Sequence, residues 1–166
     1  MCDVLGLVLS VNVADLSFDY DPDDPDGFQA GMARLGPRLG AEQSGVTIYE
    51  LPPGQAVCPY HYEYGEEEWL LVLAGRPSLR TPDGVEQLAP GALAFFSRGP
   101  QGAHQVRNDG DEPARVAMFS TVVLPTATAY PDSDKVGVYT GDEDEDLIAE
   151  RSRGVGYYHG EPGADR

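Results

Sequence analysis

The stretch EWLLVLAGRPSLRTPDGVEQLAPGALAFFS, residues 68–97, decides the fold. Side chains alternate across a strand, so Glu68, Leu70 and Val72 share one face of EWLLVLAG while Trp69, Leu71 and Leu73 share the other. Both faces are apolar, and no stripe of helical period runs through them. Residues 76–91 read as strand, PDG turn, strand and a second turn, and ALAFFS at 92–97 is another apolar strand. Upstream, VTIYEL (46–51) alternates and stops at PPGQ. Downstream, GAHQVRN (102–108) leads through the turn DGDEP to ARVAMFSTVVL (114–124). Short strands at regular spacing, punctuated by Gly and Pro, predict an all-β fold, an antiparallel sandwich or barrel.

The remaining chain frames this block. Its 166 residues suit one domain, and 41% hydrophobic residues suffice for a core. Gly 20 and Pro 14 predict many turns and few long helices. The expected division is an N-terminal arm (1–44), a barrel (45–124) and a C-terminal extension (125–166). In the arm, DYDPDDPDGF resembles a cation loop only in its acidity. Pro25 breaks the spacing, and Met32 stands where a closing glutamate would be needed. FQAGMARLGPRLG (28–40) is too rich in Gly for a helix. In the extension, GDEDEDL (141–147) reads as a solvated loop, and VGYYHGEP (155–162) as a segment able to pack back on the barrel.

A formal charge of −17 disfavours nucleic acid and anionic membrane surfaces as partners. Lys135 is the only lysine. No apolar run is long enough to span a bilayer, and MCDVLGLVLS lacks the cationic start of a signal peptide. Two cysteines, Cys2 and Cys58, make no disulfide framework, which fits a cytoplasmic protein.

Chemistry concentrates in PYHYEYGEEEW, residues 59–69. If 57–63 is extended, His61 and Glu63 point into one space. A turn at Tyr64-Gly65 would return the chain so that Glu68 pairs back beside them. His104 lies on a later short strand, sharing a face with Val106 and Asn108. Two imidazoles and two carboxylates converging from three strands suit Mn, Fe(II), Zn, Co or Ni. The competing interpretation is a hydrogen-bonded polar pair lining a pocket. Without an ion, Glu63 and Glu68 would repel, and one would tend to hold a proton.

These residues resemble the cupins, small β-barrel proteins. The first cupin motif runs Gly, five residues, His-x-His, three or four residues, Glu, six residues, Gly. Here Gly54 is followed after six residues by His61, then Glu63 in place of the second histidine, then Glu68 after four residues and Gly75 after six more. The second motif runs Gly, five residues, Pro-x-Gly, two residues, His, three residues, Asn. Here Gly91 is followed by Ser97 for the proline, Gly99, four intervening residues, His104 and Asn108. The resemblance covers residues 45–124 and is close to small single-domain bacterial cupins, some of them loosely described as sugar-phosphate isomerase-like. It implies a double-stranded β-barrel of the cupin type, with His61, Glu68 and His104 as metal ligands and Glu63 in the fourth place. One ligand is swapped, two spacings are stretched and one proline is lost. A carboxylate at 63 biases such a site toward harder ions.

Other residues complete the picture. Tyr60, Tyr62 and Tyr64 alternate opposite His61 and Glu63 and read as packing residues, with substrate stacking as the lesser alternative. The outward stripe of Trp69, Leu71 and Leu73 needs a cover: the arm, a second copy in a homodimer, or both. Among the scarce cations, Arg80 is a candidate anion holder, Arg107 reads as a surface ion pair, and Arg98, on the loop before His104, has a better chance of reaching the pocket. Cys58, three residues from His61, should face away from it as a packed thiol. His159 sits in a flexible-looking tail. Phe95 or Phe96 should wall the pocket. Two functions follow: a metal-dependent enzyme acting on a small polar metabolite such as a sugar or sugar phosphate, with Glu63 as base if it is not a ligand, or a metal-free cupin that binds a small molecule without chemistry.

Overall fold

The computed structural model describes residues 9–163, so Cys2 and most of the opening apolar stretch lie outside the described residues. Among the described residues the regular structure is mostly strand, and every strand pair is antiparallel. In order, the strands are β1 (Gly31–Arg34), β2 (Ser44–Leu51), β3 (Tyr62–Glu63), β4 (Glu68–Ala74), β5 (Ser78–Thr81), β6 (Gly84–Gln87), β7 (Leu93–Phe96), β8 (Gln105–Arg107), β9 (Ala114–Thr121), β10 (Thr126–Tyr130), β11 (Lys135–Tyr139) and β12 (Leu147–Glu150). One layer runs β1-β2-β9-β4-β7. The facing layer consists of β6-β5-β8 and β3-β10-β11-β12, stitched together where residues 56–61 run beside β8 through the pairs Ala56–Arg107 and His61–His104.

Alternation along β4 explains the assembly. Leu70 and Val72 are buried and meet Leu51 and Val116 from their own layer and Leu79 and Val106 from the opposite one. Full burial of such side chains contributes about 1.5–3 kcal/mol each. Glu68 lies on the same inward face, which takes a carboxylate into the interior. At the end of β4, Gly75 adopts φ 74°, and a Cβ there would lie 2.7 Å from Ala114 Cα, so the chain leaves the strand only with glycine.

The outer face of β4 is covered in part by the chain itself. Leu71 and Leu73 pack with Val11, Leu16, Phe18 and Leu35 from the N-terminal residues. That segment is held by β1 pairing with β2, by the Tyr20 hydroxyl donating to Glu50 at 2.7 Å, and by Arg115, which pairs with Glu50 at 2.6 Å. Residues 28–40, expected to lack a helix, form β1 and a single helical turn, Leu35–Arg38. Trp69 stays exposed beside Phe95 at a ring separation of 4.7 Å.

Two expectations are corrected. The segment around His61 does not form a hairpin with β4. β3 pairs with β10, Thr128 opposite Glu63, because the backbone groups of 62–64 are taken by residues 127–129. Glu68 therefore reaches the histidines from across the interior. The tail VGYYHGEP does not pack back: residues 155–162 are exposed, Tyr157 to 88%. GDEDEDL is exposed throughout, and its turn is held by Asp146 accepting from the Thr140 amide at 2.7 Å.

Candidate metal centre

The two imidazoles are set side by side by backbone pairing. His61 donates its amide to the His104 carbonyl at 3.1 Å, and His104 donates back to His61 at 2.8 Å. This reciprocal pair puts the ring centroids 4.6 Å apart. Each ring is then fixed through Nδ1, which lies 3.0 Å from the Pro59 carbonyl in His61 and 2.9 Å from the Gly102 carbonyl in His104. A carbonyl only accepts, so each Nδ1 carries a proton, and in a neutral ring Nε2 presents a lone pair. Phe96 stacks on His104 at 3.6 Å, nearly parallel. Of the two expected pocket walls it is Phe96 that serves; Phe95, the next residue, faces out against Trp69.

Glu68 completes the group. Its Oε2 lies 3.7 Å from His61 Nε2 and 3.6 Å from His104 Nε2, distances of charge contact rather than hydrogen bonding. Ligand atoms from His61, Glu68 and His104 all lie within 4.8 Å of one another. His104 Nε2 is buried and has no hydrogen-bond partner. With both rings neutral, three acceptors surround one point and leave a lone pair unsatisfied at a cost of about 1–3 kcal/mol. A cation removes that cost. Metal bonds of about 2.0–2.2 Å to nitrogen and oxygen would draw such atoms only slightly closer. The donor set therefore fits a divalent transition ion.

Glu63 stands at the edge of this group. Its Oε1 is 3.8 Å from His61 Nε2, and both carboxylate oxygens accept from the Thr128 hydroxyl at 2.8 Å. Burial pushes its pKa up to about 7; the Thr128 bond opposes this and the Glu68 charge adds to it. Burial also works against a proton on His61, but Cys58 and Glu68 beside it prevail, and its pKa is pushed up to about 11. Burial and the charge on His61 bring His104 down to about 4. In the ion-free protein, a proton on His61 thus stands in the position a metal cation would take.

The loop before His104 is shaped by Gly102, where a Cβ would fall 1.7 Å from the Ser97 carbonyl oxygen. The extra residues of this loop form a turn of 3₁₀ helix, Pro100–Gly102. Asn108 braces the end of β8, donating to Leu51 and Glu112 carbonyls at 2.8 and 2.9 Å.

Several expected roles shift. Cys58 does not face away from His61: its Sγ lies 3.4 Å from His61 Nδ1, because residues 57–60 bend around Pro59 instead of running straight. Arg98 is exposed and lines no part of the cavity beside His61. Arg107 pairs with Asp109 at 2.9 Å, and Arg80 grips Asp132 with two bonds of 2.6 and 2.9 Å while lying over the Tyr60 ring. His159 is exposed in the tail. Tyr60 and Tyr62 are buried with Ala103 and Ala129, whereas Tyr64 is exposed. One wall of the cavity was not expected from the sequence: Thr126, Thr128 and Tyr130 of β10, with Tyr139 of β11, line it beside His61 and Glu63. Alternation at 126, 128 and 130 was the available signal.

A family model described as the cupin domain matches residues 47–122, the span that carries both histidines and both glutamates. Residues 47–122 form a cupin domain. A provisionally named sugar phosphate isomerase from Acidithiobacillus ferrooxidans superposes on this cupin with a TM-score of 0.77 at 20% identity, covering 90% of this chain and 95% of that one. A cupin-superfamily sugar phosphate isomerase from Silicibacter pomeroyi gives 0.76 at 23% identity, covering 87% and 94%. The polyketide cyclase RemF from Streptomyces resistomycificus gives 0.57 at 22%, covering 69% and 80%. At these identities the likeness is one of fold. No curated protein matches the sequence. Among the described residues, no helix is long and apolar enough to cross a membrane.

Proposed function

We propose that this cupin is a metal-dependent enzyme acting on a small polar metabolite, with His61, Glu68 and His104 holding a divalent transition ion (Mn, Fe, Co, Ni or Zn) and Glu63 serving as the general base. The observation that carries this is the buried, partnerless His104 Nε2 facing His61 Nε2 and Glu68 Oε2. When bound, the ion supplies Lewis acidity toward a carbonyl or hydroxyl. The chain supplies the rest. The Nδ1 bonds to Pro59 and Gly102 lock both rings with Nε2 inward, and Thr128 aims the Glu63 carboxylate across the cavity. A base raised to about 7 can take and return a proton near neutral pH. Glu63 lies outside the set of mutually close ligand atoms, which favours the role of base over that of fourth ligand.

Two solved neighbours of similar fold are named as sugar phosphate isomerases, a reaction that needs a base beside a polarised carbonyl. Exposed Trp69, Leu93, Phe95 and Phe119 on the outer sheet face would dock a second copy, and the free thiol of Cys58 suits the cytoplasm. The test is metal content by elemental analysis for the wild type, Glu68→Gln and Glu63→Gln. Near-stoichiometric metal in the wild type and Glu63→Gln, with loss of most of it in Glu68→Gln, supports the assignment. Equal metal loss in both variants makes Glu63 a ligand, and a wild type that takes up no ion leaves the metal-free binding cupin.

A further inference from the structure

The cavity beyond the two histidines has about 390 Å³ of space, room for a molecule of pentose or hexose size. Its chemistry is one-sided. Glu63 and Glu66 line it, Glu68 stands behind its lining residue His61 at 3.7 Å, and among the described residues no Arg or Lys lines it. Of the cations in the neighbourhood, Arg80 is held by Asp132, and the Lys135 ammonium lies 5.5 Å from the centre of the Tyr130 ring. Three carboxylates against one divalent ion leave a formal charge of −1, or zero with Glu63 protonated. A phosphomonoester dianion entering this space would meet the Glu66 carboxylate, and Glu63 when ionised, at the lining, with no lining cation among the described residues to offset them.

The same walls suit hydroxyl groups. The Tyr130 and Tyr139 hydroxyls are 2.6 Å apart and share one of their two protons, leaving the other for an acceptor on a ligand. Burial and that bond push the Tyr130 phenol upward, so it stays uncharged. Glu66 and Glu63 offer carboxylate oxygens to ligand hydroxyls, and the Tyr130 ring, 6.2 Å from His61, offers an apolar face to a sugar ring. An ammonium group could satisfy the carboxylates but offers nothing to the free phenolic proton.

We propose that the substrate is an uncharged polyhydroxylated compound of monosaccharide size, and that the carboxylates lining the cavity exclude its phosphate esters. This rests on the metal-enzyme reading for the ion's place in the charge count, while the excluding groups, Glu63 and Glu66, belong to the chain itself. The experiment titrates full-length protein of measured metal content, both as loaded with Zn(II) and after chelation, with D-ribose, D-ribulose and D-xylulose and with their 5-phosphates, following the His61 and His104 ring signals by NMR. A neutral pentose binding at least tenfold more tightly than its 5-phosphate, with that ratio narrowing in Glu66→Gln, supports the proposal. A 5-phosphate binding as tightly or more tightly, lost in Lys135→Ala, overturns it, and so does failure of every pentose to bind. Absence of zinc uptake would sink the metal reading alone, because discrimination against phosphate is still read in the chelated sample.

Discussion

At the scale of single residues, the candidate centre turns on the partnerless His104 Nε2 and the groups gathered around it. The fixed tautomers of His61 and His104 aim two Nε2 atoms at the Glu68 carboxylate. In the ion-free protein, His61 holds its proton up to about pH 11, so an entering metal must displace one proton at neutral pH. Binding therefore tightens as pH rises. Between pH 6 and 8 the dissociation constant should fall by about tenfold per pH unit for one released proton. Competition with a chromogenic chelator measures it, and a pH-independent constant would contradict the protonated starting state. Gly102→Ala is a second residue-scale test. A Cβ 1.7 Å from the Ser97 carbonyl forces the loop before His104 to move, and a loss of about 2 kcal/mol or more is expected, together with weakened metal binding, by thermal melts and metal analysis. His61, Glu68 and His104 were legible from the cupin spacing. The inward turn of Cys58 was not, because it depends on a bend at Pro59 that alternation does not encode.

At the scale of elements, two segments outside the matched span support the site in different ways. β10 carries Thr128 to Glu63, and Thr128→Val removes that donor while keeping the side-chain volume. Metal content should be unchanged, since Thr128 touches none of the three ligands, while turnover on any substrate should drop by about tenfold or more as Glu63 loses its aim. The N-terminal segment acts on stability. Phe18 packs on the outer face with Leu71 and Leu73, and Arg115 lies over its ring at 5.1 Å. Phe18→Ala should cost about 1–3 kcal/mol in chemical denaturation and leave metal stoichiometry intact, because the outer face and the centre lie on opposite sides of β4. The strands of residues 68–97 and 114–124 were readable because alternation and turn residues are local signals. The partner of β3 was not. A two-residue strand has no pattern of its own, and its mate lies more than sixty residues further on.

At the scale of the whole molecule, charge and exposed apolar surface pull against each other. The formal charge of −17 keeps copies apart, while Trp69, Leu93, Phe95 and Phe119 form an exposed apolar area on the outer sheet face. If that area joins two copies, light scattering after gel filtration should give a dimer that strengthens in salt, as repulsion is screened, and Phe95→Ser should shift it toward monomer. A wild-type monomer at micromolar concentration and high salt would contradict the dimer. The all-β architecture followed from composition and punctuation, and the arm was among the expected covers of Leu71 and Leu73, whereas the residues that make that cover, Val11, Leu16, Phe18 and Leu35, depended on where the arm folds back. The centre itself is tested most directly by elemental analysis of wild-type protein purified without added metal and then reconstituted. The geometry predicts close to one transition-metal ion per chain, abolished in the His61→Ala/His104→Ala double variant. A wild type that stays free of metal after reconstitution would contradict it.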